Sequence, residues 1–530
     1  MAKYSNNSVK KKQEDITCKK AQDKAIESLK RAIFSFCDSK KMKTRVIPLA
    51  IPTGWGKTRI AVQSVFGATY DNQHKTYKPT VILWPQKDDH IENVWCGKNE
   101  WKGLDVISPK KLKDCKKIDD FASHSFFSID NALQLINSNT KKEQSDRTRR
   151  KIKHFKKVLS TLIKNTTGPI VYIIDEWHSK KIIEAYEERK KNMNAEQFWR
   201  HYLLQEETKH PGKRRKLFVL LLSATPIATT ASMDEAPLNE KDADEVNKKI
   251  AKSVKSFNEL SRVGNQNRKY NLYDIYPNLI DSQVKKLGKY NGVKFPIMAK
   301  KETWANEYVS LNMPFNSKKC PYQDEQSAIL KKTNNLKQRI LKKFLENHSK
   351  RKFIVFCHYT EIAEQLQEQL GSKAVFLEAC GKSREVNIEL FNKAPIEDSF
   401  QVLILMDRDS QGISLHESKA WLIHYELSWN PIRIIQRFGR VWRLFLSDPD
   451  NENSLELTCP KAFCIPFSYS GEEEQLNRLS RRWKFLSDIS KEENDKEENK
   501  KNVKDANKPL MNLTPIPYEI ALGKRLTPEP

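Results

Sequence analysis

The stretch IPTGWGKT, Ile51–Thr58, decides the fold. Ahead of it, Val46–Ile51 is mostly apolar and predicts a buried strand; after it, Lys57 opens the helical run TRIAVQSVF. Strand, glycine-bearing loop and helix N-terminus in that order form a cradle for phosphate. Backbone N–H groups point inward, a lysine reaches the terminal phosphates and a hydroxyl binds magnesium. Gly54 and Gly56 allow close backbone approach, Lys57 supplies the charge, Thr58 the metal ligand, and Thr53 and Trp55 complete the loop. The same spelling also suits an ordinary turn before a helix, and the rest of the chain has to separate the two.

Composition narrows the choice. A chain of 530 residues is too long for one core and predicts about three domains of ordinary size. Lys and Arg number 94 against 67 Asp and Glu, a net charge of +27, which points to a polyanionic partner or to a solvated lysine surface. The nine cysteines are scattered without zinc-ligand spacing, as reduced thiols would be. The N-terminal charges precede no apolar segment, and no window reaches membrane-spanning length. The expectation is an intracellular protein, cytoplasmic in a bacterium, neither secreted nor membrane-inserted.

Along the chain, KKAQDKAIESLKRAIFSF spaces Ala21, Ala25, Ile26, Leu29 and Ile33 as an amphipathic helix carrying Gln22. PTVILWPQ (79–86) and SFFSIDNALQLI (125–136) offer strands. The run 141–157 would place Arg149, Arg150, Lys153, Lys156 and Lys157 near one helical face, suited to phosphate contacts or to solvent. PIVYIID (169–175) has the near-continuous apolar character of a strand buried on both faces, and it delivers DEWH to the strand's C-terminal end. There Asp175 can hold magnesium and Glu176 can orient and deprotonate an attacking water, although an acidic pair also suits a helix cap. LFVLLLSATP (217–226) repeats the pattern, ending in Ser223 and Thr225, which either link the pocket to a moving part or cap a turn.

A second α/β series begins at Lys352, with KFIVFC, AVFLEACG and QVLILMDRDSQGISL as strands and loops. In AWLIHYELSWNPIRIIQRFGRVWR (420–443), Gln436, Arg440 and Arg443 are spaced to share one face of a helix. Two arginines there suit stabilisation of charge on a transferred phosphoryl group, or a basic surface face.

IPTGWGKT, DEWH and SAT, each after a strand, resemble the first lobe of superfamily 2 helicases and translocases. DRDSQGISL is similar to the family's fifth motif and QRFGRVWR to its sixth, while HYELSWNP is similar to Swi/Snf-like translocases, including bacterial members and helicase subunits of phage-defence systems. The motifs span Gln22 to Arg443. The resemblance implies two tandem RecA-like α/β lobes with parallel sheets and ATP in the cleft between them. It implies that Gln22 recognises adenine, and that His178, Ser223, Thr225, Asp409 and Gly412 couple hydrolysis to motion. Two departures stand out: Ile51 replaces the family's Ala or Gly, and Pro48 lies within a strand, where it removes a ladder hydrogen bond.

The expected organisation is lobe one over 1–230, a linker and accessory helical insertion over 231–350, lobe two over 351–470 and a charged C-terminal extension over 471–530. Its final residues, Leu510 to Ile520, have apolar positions suited to docking. The expected activity is ATP- and Mg2+-dependent translocation on nucleic acid, duplex DNA favoured, with single strands, RNA remodelling or a non-catalytic nucleic-acid-binding scaffold as alternatives. No nuclease, methyltransferase or zinc module is evident in the 530 residues, so cutting or modifying activity is expected from a protein partner in a defence or repair system.

Overall fold

The computed structural model describes residues 18–51, 55–69, 80–84, 110–111, 124–126, six positions within 150–163, 168–204 except 176, 178 and 179, 215–223, 240–264, 270–271, 328–407, 413–446 except 429, 455–465 except 459, 476, 479–486 and 518–526. They form two parallel-sheet α/β lobes.

The first sheet has the order β3-β4-β2-β5-β6-β1-β7, every pairing parallel. Its strands are β1 (Thr44–Ala50), β2 (Thr80–Trp84), β3 (Lys110–Lys111), β4 (His124–Phe126), β5 (Ile170–Asp175), β6 (Leu217–Ser223) and β7 (Tyr270–Asn271). β1, β5 and β6 are buried at every residue because helices cover both faces. Ile47, Leu49, Val171, Ile173, Phe218 and Leu220 pack with α1 (Cys18–Asp38) and α2 (Lys57–Thr69). Their alternates Val46, Tyr172, Ile174, Val219 and Leu221 pack with α3 (Lys180–Arg189), α4 (Ala195–Leu204) and α5 (Glu240–Ser261).

Pro48 is accommodated by its parity. Ile51 N donates to Ser223 O on β6, whereas Val46 N donates to Val263 O on the opposite side of the strand. Alternation puts Pro48 on the side of Val46, where β7 pairs only with Leu49 and Ala50, so no β6 bond is lost.

The second sheet has the order β15-β14-β11-β8-β10-β9, again parallel throughout. Its strands are β8 (Phe353–Cys357), β9 (Ala374–Phe376), β10 (Val402–Met406), β11 (Trp421–His424), β14 (Ala462–Cys464) and β15 (Lys524–Arg525); β12 (Leu444–Leu446) and β13 (Leu455–Leu457) form a separate antiparallel ribbon. One face packs with α6 (Ala328–Asn347) and α7 (Thr360–Leu370), the other with α8 (Arg384–Lys393), α9 (Pro431–Phe438) and α10 (Tyr518–Leu522).

The stretch expected as linker and insertion therefore contributes to both lobes. α5 covers one face of the first sheet, β7 extends it, and α6 belongs to the second, where Lys337 Nζ donates to Tyr425 O at 3.1 Å. None of the described helices is long and apolar enough to cross a membrane.

The chain's last described residues close the second sheet. β15 pairs with β14, Leu526 N donates to Cys464 O at 2.8 Å, and the buried His424 ring meets Ala521 O at 2.9 Å through Nε2. The joint is Gly523, at φ 81°, where a Cβ would fall 1.9 Å from Ala462 O. A side chain there meets both left-handed strain and backbone, so Gly523→Ala is expected to release the tail. Tryptic cleavage at Lys524 and Arg525 should accelerate about ten-fold or more, the factor equivalent to ~1.4 kcal/mol; an unchanged rate would show that this docking does not depend on the glycine.

Candidate active site

The adjacent strands β5, β6 and β1 end almost level, since Asp175 pairs with Leu222 and Ser223 with Ala50. Open parallel sheets bind ligands at this carboxyl edge. The chain leaves β1 through Ile51, and Gly56, at φ 82°, turns it into α2. Lys57 is the first residue of that helix, and its Nζ lies 3.0 Å from Asp175 Oδ1, both side chains nearly buried at 7% and 11% exposure. Thr58 follows, partly exposed. Gln22, buried on α1, lies against the loop: a Cβ on Gly56 would come within 2.4 Å of its Nε2. The structure thus brings together Gln22, Gly56, Lys57 and Asp175, with buried Ser223 at the neighbouring strand end. Beyond Asp175, Trp177 stacks on Phe257 of α5 with ring centroids 3.9 Å apart. Thr53, Gly54, Glu176, His178, Thr225, Asp409 and Gly412 lie outside the described residues, as do Arg149 and Lys156. Of the basic run, Arg150, Lys153 and Lys157 are helical and exposed, while Leu159 and Ile163 are buried.

Thr58 and Asp175 offer hard oxygen donors, the kind magnesium takes, and Lys57 already places a cation against the same carboxylate. The donor chemistry therefore fits the ion.

In the second lobe, Asn430 caps α9, its Oδ1 accepting from Ile432 N at 3.0 Å with Pro431 at the first turn. The helix ends at Phe438, earlier than the expected shared face requires. Gly439, a weak helix former, closes it, and Gln436 is the only one of the three predicted side chains on the helix itself. Arg440 lies in the following turn and Arg443 just before β12. Both are nonetheless buried, and Arg443 is held by carbonyls, Nη2 to Ile413 O at 2.8 Å and Nε to Gly439 O at 3.2 Å. Burial and the neighbouring Arg440 push the Arg443 guanidinium down to about 9, so at neutral pH it remains a cation beside another cation. An anion is the ligand that relieves such a pair.

One cluster here has no counterpart among the predicted residues. Arg437 is 1% exposed and grips Asp407 with two bonds, Nε to Oδ1 at 2.6 Å and Nη2 to Oδ2 at 2.9 Å, while Nη1 donates to Glu426 O at 2.8 Å. Burial alone would raise the Asp407 carboxyl, but the charge and hydrogen bonds of Arg437, with Arg433 and His358, hold it at about 2. Glu426 Oε2 in turn accepts from the backbone N–H groups of His358 and Tyr359. The sequence signal was present: VLILMD ends in an aspartate just as VYIID does, and Arg437 sits inside QRFGRVWR. This fork ties the C-terminal end of β10 to α9.

The two halves meet at tryptophans. Trp55, beside Gly56, and Trp442, between Arg440 and Arg443, lie edge to face with ring centroids 4.6 Å apart. Around them a single apolar cluster runs from α1 and α2 into the second lobe.

His424 borders the arginine fork, its Nδ1 3.5 Å from Arg437 Nη1. Burial first, then Arg437, pushes its ring from 6.5 down to about 3, so it is neutral in the folded protein. Between those values the unfolded chain binds the proton and the folded chain does not. The contribution is complete above pH 6.5 and is lost as pH falls below it. Urea unfolding at pH 7.5 and 5 should show His424→Gln losing about 2 kcal/mol less stability on acidification than the wild type. Equal losses in the two proteins would contradict a neutral buried imidazole.

Family comparisons agree with this division. The family described as type III restriction enzyme, res subunit, matches residues 15–228, and the helicase conserved C-terminal domain matches residues 336–445. No curated protein matches the chain. Similar solved structures include the Pyrococcus furiosus Hef helicase domain, 14% identical over 85% of this chain and 97% of that one with a TM-score of 0.38. S. cerevisiae Dbp5 bound to RNA and ADP BeF3 is also 14% identical, over 88% and 91%, with a TM-score of 0.39. The two matched domains, one on each parallel sheet, support a superfamily 2 helicase.

Proposed function

We propose that this chain is an ATP-driven translocase on duplex DNA, Swi/Snf-like in its second lobe. The observation that carries it is the contact, across the lobes, of Trp55, two residues before Lys57, with Trp442 in the buried segment bearing Arg440 and Arg443. In this mechanism Gln22 recognises the adenine edge, and Lys57 with the loop N–H groups binds the phosphates. Thr58 and Asp175 would hold magnesium, which when bound neutralises phosphate charge. Glu176 takes the proton from the attacking water, and Arg440 and Arg443 stabilise the charge of the transferred phosphoryl group once the lobes are together. Gln436 orients this second half, and His178, Ser223, Thr225, Asp409 and Gly412 transmit the change to the gripped strand. The exposed basic residues Arg150, Lys153 and Lys157 suit backbone contacts that ignore sequence and weaken with salt. Support for duplex DNA over RNA comes from HYELSWNP, whose Asn430 and Pro431 start the helix that leads into the segment bearing Arg440 and Arg443.

ATP turnover measured with duplex DNA, single-stranded DNA and RNA tests the proposal. Duplex DNA should stimulate most, and Glu176→Gln should reduce the stimulated rate by about 10²–10⁴, the usual contribution of a general base. Preferential stimulation by RNA would favour the remodelling alternative. Equal turnover by the variant would contradict hydrolysis at this site.

A further inference from the structure

We infer that Trp55 and Trp442 are a positioning pair: an aromatic latch that sets the two arginines against the phosphate loop, and that therefore governs turnover more than nucleotide affinity. The inference rests on ATP hydrolysis at this site.

The two rings are 0% and 1% exposed, belong to different lobes and meet within one apolar cluster that both lobes share. Their covalent neighbours are what makes the contact informative. Trp55 is two residues from Lys57, and Trp442 is two from Arg440 and one from Arg443. A change in the separation of these rings must move the arginines relative to the lysine. Within lobe one the Gln22 amide lies so close to Gly56, the neighbour of Trp55, that a Cβ there would fall 2.4 Å from its Nε2, which limits how far the loop can shift on that side. On the second side, Trp442 N donates to Phe438 O at 3.0 Å, and the two rings lie 5.9 Å apart, joining the latch to the end of α9. That helix is fixed by the Arg437–Asp407 fork. A rigid path thus runs from the fork through Trp442 to Trp55 and the phosphate loop. An edge-to-face pair has a defined geometry that an aliphatic contact of similar size does not reproduce.

Such a pair acts on the state in which the arginines meet the phosphoryl group. Groups serving only that state alter kcat, whereas Gln22 and the loop hold the nucleotide before it. The test is a double-mutant cycle in ATP turnover at saturating nucleic acid, using Trp442→Leu, Trp55→Leu and the double variant, with Trp442→Phe as the conservative replacement.

Trp442→Leu should lower kcat about ten-fold in the wild-type background with KM for ATP changed less than about two-fold, and less than about two-fold in kcat when Trp55 is already leucine. Trp442→Phe should retain at least about half the rate, because a ring still reaches Trp55. If Trp442→Leu does not fold, Trp442→Met, which keeps apolar bulk without a ring, takes its place in the same cycle. Equal losses in both backgrounds, or a raised KM with unchanged kcat, would overturn the latch. A wild type that hydrolyses no ATP with any nucleic acid would instead contradict the activity on which it rests.

Discussion

A lysine ammonium and an aspartate carboxylate lie 3.0 Å apart at the edge of the first sheet, and the rest of the structure is arranged so that they can be there. Taking both charges out of water costs more than a surface pair would, and their attraction offsets that cost only when the geometry is fixed. Three adjacent strands fix it. β1 presents the loop that turns at Gly56, β5 ends in Asp175, and β6 lies between them, bonded to both. The pair is thus poor evidence for stability and good evidence for a site, because a fold that needed only stability would do as well with apolar residues.

The second lobe solves a related problem with like charges. Arg440 and Arg443 are both buried, and that burial first, then the charge of Arg440, lowers the affinity of Arg443 for its proton. A guanidinium with a pKa of about 9 still carries its charge at neutral pH, so the arrangement holds two cations in a place where an anion gains most. Arg437 grips the Asp407 carboxylate: this fork is structural, and it keeps α9 aligned on the second sheet, with Arg440 and Arg443 in the segment that follows the helix.

Much of this was legible in the sequence because the strands are nearly uninterrupted apolar runs and the polar residues cluster just after them. IVYIID, LFVLLLS and FIVFC have the near-continuous apolar character of strands covered on both faces, which puts the residues that follow at one edge of a sheet. What was not legible depended on partners distant along the chain. The end of α9 at Phe438 follows from a single glycine inside a strongly helical pattern, and Asp407 gains meaning only when β10 is placed beside α9. Pro48 looked disruptive because sequence shows that an N–H is missing without showing which side of the strand it would have faced. Likewise 240–271 and 328–347 carry no motif, yet their apolar stripes complete the two cores. That the loop residue Trp55 packs on the second lobe became visible only when Trp442 was found against it.

The central claim is that one site is divided between two sheets, the first binding the nucleotide and the second completing the reaction. The direct measurement compares nucleotide affinity with turnover in Arg440→Ala. The account predicts ATP affinity within about three-fold of wild type while nucleic-acid-stimulated turnover falls about 10³-fold or more. Unchanged turnover, or affinity and turnover falling together, would contradict it.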